Sequence, residues 1–184
     1  CHSYTGITAA VGAHGAQHVV HVAARMPAIG ESQTDLNKDW GNPDFRSCFV
    51  ITQDGTMSLT EGADEFLFHR SPRNIAQMAM DFRRPMKSEI PTEPIQNPAW
   101  KTMKSSYLVC TEDRAVHAEQ QRMRATWADY SVAVGCDHSP FVSAPKDTPN
   151  FVMETHMSVV GGSEWFRAEA GMLLSEVTLL RSRV

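Results

Sequence analysis

No stretch of the sequence stays apolar for anything near the ~18 residues that a membrane-crossing helix needs, which excludes a helical span. No charged segment followed by an apolar one has the form of a signal peptide. There is no basic stripe, and 17 Lys and Arg against 21 Asp and Glu leave a net charge of −4, which argues against nucleic acid or an anionic membrane surface as partner. The four cysteines, Cys1, Cys48, Cys110 and Cys136, make no C-x-x-C pair, which excludes a zinc knuckle and a thioredoxin-type motif. Two of them lie in strand-like apolar runs and read as buried free thiols, so a cytoplasmic, reducing compartment is the expectation. No internal repeat and no low-complexity tract breaks the chain.

What remains is an ordinary globular composition, with 42% hydrophobic and 21% charged residues over 184 positions, enough for one domain with a real core. Residues 4–17 are rich in Ala and Gly and suit a helix buried against a sheet. Val19-Val20-His21-Val22-Ala23-Ala24 is a β-branched run of strand length, and such continuous apolar runs mark parallel strands buried on both faces. From Met26 the texture turns polar and turn-rich. Asp54-Gly55 between Phe49–Thr52 and Thr56–Leu59 predicts a hairpin. Residues 63–69 predict a short helix. Ser71-Pro72 predicts a cap with proline at the first helical position, opening a helix that runs to about Arg84. Pro91, Pro94 and Pro98 predict a rigid connector. Ser106–Cys110 predicts a buried strand, 115–127 a helix, Tyr130–Val134 a further strand, and about Asn150 to Val160 a last helix of the sheet unit. An amphipathic helix is expected over 163–184.

The chain is organised around its first six residues, Cys1-His2-Ser3-Tyr4-Thr5-Gly6. A serine hydroxyl is a poor nucleophile unless it is exposed, aimed and beside a base. A sharp turn from strand to helix does the aiming, in its strict form Gly-x-Ser-x-Gly. Here Cys1 and Thr5 stand where the glycines would be, with Gly6 following. Parallel sheets carry their chemistry at the carboxyl ends of the strands, and three predicted strand ends carry Ser3, Asp113 and His138. Proton chemistry assigns their roles: Ser3 attacks an acyl carbonyl, His138 takes its proton and returns it to the leaving group, and Asp113 holds the imidazole. Each residue alone has a plainer explanation. A serine among small residues is usually a cap or turn residue, a histidine after a strand is usually a surface residue, and Asp113 is placed to cap the helix beginning near Ala115. Glu112 and Asp137 compete for the acid role. Their joint occurrence, in the order Ser, Asp, His, favours the triad.

These segments resemble the C-terminal two-thirds of an α/β-hydrolase fold protein, in the small esterase branch that also contains plant methylesterases and hydroxynitrile lyases. The resemblance covers about residues 1–160. It rests on His2-Ser3-Tyr4, Tyr107 to Ala115, Gln120-Gln121-Arg122-Met123, Asp137 to Pro145, and a cap-like stretch with Leu67-Phe68-His69, Arg83-Arg84-Pro85 and Pro91 to Pro94. It implies an α/β fold, a mostly parallel sheet with flanking helices and an inserted cap. The core would comprise 1–26 and 101–160, the cap 27–100, and a C-terminal helical extension 161–184 that offers an oligomer contact. The N-terminal half of the sheet, with one oxyanion-hole donor, would be absent from this chain and supplied as a separate or cleaved chain, so that these residues alone would not fold as a monomer. The implied activity is hydrolysis of a small-molecule carboxylic ester through an acyl-serine intermediate, with the Tyr4 N–H as oxyanion donor and no metal or organic cofactor. Phe49, Phe66, Leu67, Phe68 and Met78 are expected either to line the substrate pocket or to form the cap's own core. Two alternatives stand beside this: a non-catalytic protein that binds a small ligand or partner in the same pocket, and a hydroxynitrile lyase. The lyases usually have lysine after the catalytic histidine, and Ser139 here argues against the second.

Overall fold

The computed structural model describes residues 1–40, 42–88 and 93–160; the helix expected over 163–184 lies outside the described residues. In chain order the elements are helix α1 (Thr5–Gly12), strand β1 (Val19–Val22), α2 (Gln33–Trp40), α3 (Pro43–Ser47), β2 (Phe49–Ile51), β3 (Thr56–Leu59), α4 (Asp64–Leu67), α5 (Arg73–Asp81), β4 (Met86–Lys87), a 3-10 turn (Ala99–Lys101), β5 (Ser105–Cys110), α6 (Ala118–Ala125), β6 (Tyr130–Val134), α7 (Pro140–Ser143) and α8 (Asp147–Val160).

Three strands form a parallel sheet in the order β1-β5-β6. All six residues of the central strand, Ser105–Cys110, are buried, as a parallel strand covered on both faces requires. Its side chains alternate between two apolar clusters. Leu108 and Cys110 meet Val22, Cys136, Ala144 and Phe151 of α8, while Tyr107 and Val109 meet Met26 and Ala125 of α6. Helices thus cover both faces. β6 sits at the edge and its side chains are largely exposed. Residues 1–3 extend the sheet beyond β1: Val22 N–H donates to Cys1 O (2.9 Å), Ser3 N–H donates to Val22 O (3.3 Å), and His2 pairs with Val22 in parallel.

Between β1 and β5 lies a second, antiparallel sheet in the order β2-β3-β4. The Asp54-Gly55 hairpin forms, with Gly55 at φ 74° and the Asp54 carboxylate accepting from Thr56 N–H (3.1 Å). Cys48, Ala63 and Met80 make a small core with Phe45, Leu59, Phe66, Leu67 and Phe68 packed on it.

The structure corrects several expectations. The polar segment after Met26 contains two helices. α2 starts at a reciprocal cap in which Ser32 Oγ accepts from Asp35 N–H (3.2 Å) and the Asp35 carboxylate accepts from Ser32 N–H (3.0 Å). α3 starts where Asn42 Oδ1 accepts from Asp44 N–H (3.0 Å), with Pro43 at the first position. Ser71 does not cap α5; its hydroxyl donates to Asp137 (3.0 Å) instead. Pro149 falls inside α8, in the first turn, where a missing N–H breaks no helical bond.

Candidate active site

The peptide turns at Ser3 with φ 53°, in the left-handed region that costs a non-glycine residue about 1–3 kcal/mol. The surroundings hold this strain in place. Ser3 O accepts from Gly6 N–H (3.1 Å) and Arg25 N–H (3.0 Å). The Thr5 hydroxyl accepts from His2 N–H (2.8 Å) and donates to His2 O (2.6 Å), tying the two ends of the turn together. Close approach is required at Gly6, where a Cβ would come 2.0 Å from Arg25 O. Thr5 therefore stabilises a turn whose need for a small residue falls one position later. Tyr4 is the N-cap of α1, so its N–H belongs to the free donors at a helix start.

Ser3, Asp113 and His138 come together in this geometry. His138 Nε2 lies 2.9 Å from Ser3 Oγ, and His138 Nδ1 lies 2.7 Å from Asp113 Oδ2. The carboxylate partner fixes the proton on Nδ1, which leaves the Nε2 lone pair toward the serine hydroxyl. The Asp113 and His138 side chains are almost fully buried. Asp113 Oδ1 accepts from Ala115 N–H (2.8 Å) and Val116 N–H (2.9 Å), and Oδ2 also accepts from Gln121 Nε2 (2.8 Å). Asp113 therefore does not cap a helix, since α6 begins only at Ala118 with no side-chain cap; the same carboxylate closes the turn at Ala115 and Val116 and contacts the histidine.

The two competing acids are engaged elsewhere. Glu112 pairs with Arg70. Asp137 accepts from Arg70 N–H (2.9 Å), Ser71 Oγ (3.0 Å), Ser139 N–H (2.9 Å) and Ser143 Oγ (2.7 Å), clamping the loop that carries His138. His2 lies against His138: its Nε2 donates to His138 O (2.8 Å), and the ring centroids are 4.8 Å apart. Burial, and then the neighbouring His138, press the His2 imidazole down to about 4.

Sequence reasoning missed Gln121 as a support. It is fully buried on α6, its Oε1 accepts from Cys110 N–H (2.8 Å), and its Nε2 donates to Val116 O (2.8 Å) as well as to Asp113. A glutamine on the buried face of the helix that follows the acid was the available signal. Of the expected pocket residues, Phe66, Leu67 and Phe68 pack onto the Cys48–Ala63–Met80 core, Phe49 sits edge-on to Phe45 at 5.2 Å, and Met78 is 50% exposed. An open groove between α1 and residues 93–97 borders Tyr4 but none of Ser3, Asp113 and His138. Among the described residues no three His, Cys, Asp or Glu side chains cluster as a metal site would, and no helix is long and apolar enough to cross a membrane.

Residues 1–148 match a family described as the Alpha/beta hydrolase family. A search of curated proteins finds no match. Among solved structures, polyneuridine aldehyde esterase is similar with a TM-score of 0.66 at 17% identity, over 84% of this chain and 69% of that one. A methylesterase, MES16 from Arabidopsis, aligns with a TM-score of 0.63 at 16% identity, over 84% of this chain and 66% of that one. The pyrethroid hydrolase PytH aligns with a TM-score of 0.66 at 14% identity, over 87% of this chain and 70% of that one. The chain thus spans about two-thirds of the length of these neighbours.

Proposed function

Since the chain belongs to the alpha/beta hydrolase family, we propose that it is a serine hydrolase that cleaves a small carboxylic ester through an acyl-serine intermediate. The carrying observation is the hydrogen-bonded chain from Ser3 Oγ through His138 to Asp113, with Ser3 on a strained turn at the start of α1. His138 removes the hydroxyl proton as Ser3 Oγ attacks the ester carbonyl. The negative charge that develops on the carbonyl oxygen is met by the Tyr4 N–H and the positive end of α1. The protonated His138, held by Asp113, gives its proton to the departing alcohol. Water then attacks the acyl-serine, with His138 as base again, and releases the acid. The structural neighbours, an esterase, a methylesterase and a pyrethroid hydrolase, support ester hydrolysis over other acyl transfers.

Turnover of p-nitrophenyl acetate by the wild-type chain and by Ser3→Ala tests this reading. Loss of activity on the order of 10³-fold or more in the variant is expected for removal of a triad nucleophile. Equal rates in the two proteins would overturn it.

A further inference from the structure

Arg25 follows the carboxyl end of β1, and its N–H donates to Ser3 O (3.0 Å), so its backbone is fixed against that of the nucleophile. Its guanidinium Nη1 is buried and has no hydrogen-bond partner. Among the described residues it makes no ion pair. The charged and titratable groups that act on it include Arg46, Tyr107, Asp113 and Tyr4. Arg46, from α3, is a second cation. It eases nothing and, after burial, is the strongest influence weakening Arg25's hold on its proton. Asp113 acts on Arg25 only through space: its two oxygens accept from Ala115, Val116 and Gln121 and meet His138, and no hydrogen bond joins it to the guanidinium.

A guanidinium N–H buried without an acceptor is costly, and an anion that meets it removes that cost. A guanidinium is planar and offers parallel N–H donors, a geometry that matches a carboxylate. The Arg25 backbone, fixed against Ser3 O, tethers this group to the turn that carries Ser3.

We propose that Arg25 is a specificity-determining residue and that the ester taken at Ser3 carries a free carboxylate a few carbons from the ester carbonyl, as in a monoester of a short dicarboxylic acid. This rests on the hydrolase reading for its chemistry, but the recognition step stands apart from turnover and is tested apart from it. The Ser3→Ala protein is titrated calorimetrically at neutral pH with monomethyl glutarate and, separately, with dimethyl glutarate. The monomethyl ester should bind at least about ten-fold more tightly, the size of one charge-assisted pair. Arg25→Met in the same background should erase that preference. Should Arg25→Met not fold, Arg25→Lys, which keeps the charge but loses the fork, should reduce the preference several-fold. No preference between the two ligands in Ser3→Ala, including no measurable binding of either, overturns the assignment. Hydrolysis of both esters by the wild-type chain without any charge preference would sink this assignment and leave the hydrolase reading intact. Preferential binding without hydrolysis would do the reverse.

Discussion

Gln121 illustrates how one side chain sets the position of a reacting group it never replaces. Its amide joins the end of β5, through Cys110 N–H, to the Asp113 carboxylate and to the Val116 carbonyl. Gln121→Leu is expected to lower stability by about 1–3 kcal/mol, because the Cys110 N–H and the Val116 carbonyl are left buried without this partner. Urea unfolding reads that loss. In p-nitrophenyl acetate kinetics the same variant should lower kcat more than it raises KM, since Asp113 acts on the imidazole and not on bound ester. An unchanged kcat would show that the backbone donors of Ala115 and Val116 position Asp113 by themselves. At this scale the sequence was legible where spacing carried the signal: Ser3, Asp113 and His138 could be read from predicted strand ends and their order. The Asp137 clamp could not, because Arg70 and Ser71 lie far along the chain, nor could the orphaned Arg25 Nη1, because no sequence pattern announces a missing partner; Gln121 could not although Cys110, Asp113 and Val116 are near in sequence, because packing sets which way its amide turns.

Between elements, the segment from 27 to 100 is fastened to the sheet unit at several places among the described residues, two of them strong. Arg70 and Ser71 bind the β6 end through Asp137, and Glu31 binds α6 through Arg124 at 2.7 Å, with both side chains largely buried and Arg124 stacked 4.6 Å from the Trp127 ring centroid. Glu31→Gln leaves Arg124 buried without its counter-ion and should cost about 3 kcal/mol. Thermal unfolding checks this, and a loss below about 1 kcal/mol would show that water reaches the guanidinium. The hairpin at Asp54-Gly55 was legible because a two-residue signal fixes its geometry. α2 was not, because its polar sequence hides a helix announced only by the Ser32–Asp35 cap and seated by Leu36, which is fully buried. β4 is only two residues long and is defined by pairing with β3, which no local pattern encodes.

For the molecule as a whole, the buried histidines set the response to acid. His2 and His21 both stand at about 4, depressed mainly by burial from an ordinary 6.5, and His18 and His69 are shifted in the same direction. The unfolded chain therefore binds more protons than the folded one between these values. Their contribution to stability is complete above about pH 6.5 and is lost as pH falls toward 4, by roughly 3 kcal/mol for each of His2 and His21. Urea unfolding at pH 7, 6 and 5 should show a falling free energy, and His2→Phe, which keeps a ring against His138 and Phe141, should make the fall shallower. A flat profile would mean that these rings are hydrated in the folded protein. The parallel sheet was legible from its apolar runs, while its edge at residues 1–3 emerged only from the pairing of His2 with Val22. Central to the proposed function is Ser3 as a nucleophile activated by His138. Labelling with a fluorophosphonate, which transfers its phosphorus group to an activated serine with loss of fluoride, tests that most directly when the modified peptide is located by mass spectrometry. One adduct is expected, on Ser3, absent in Ser3→Ala and strongly slowed in His138→Ala; an unlabelled wild-type chain, or labelling that persists in Ser3→Ala, would contradict this role for Ser3.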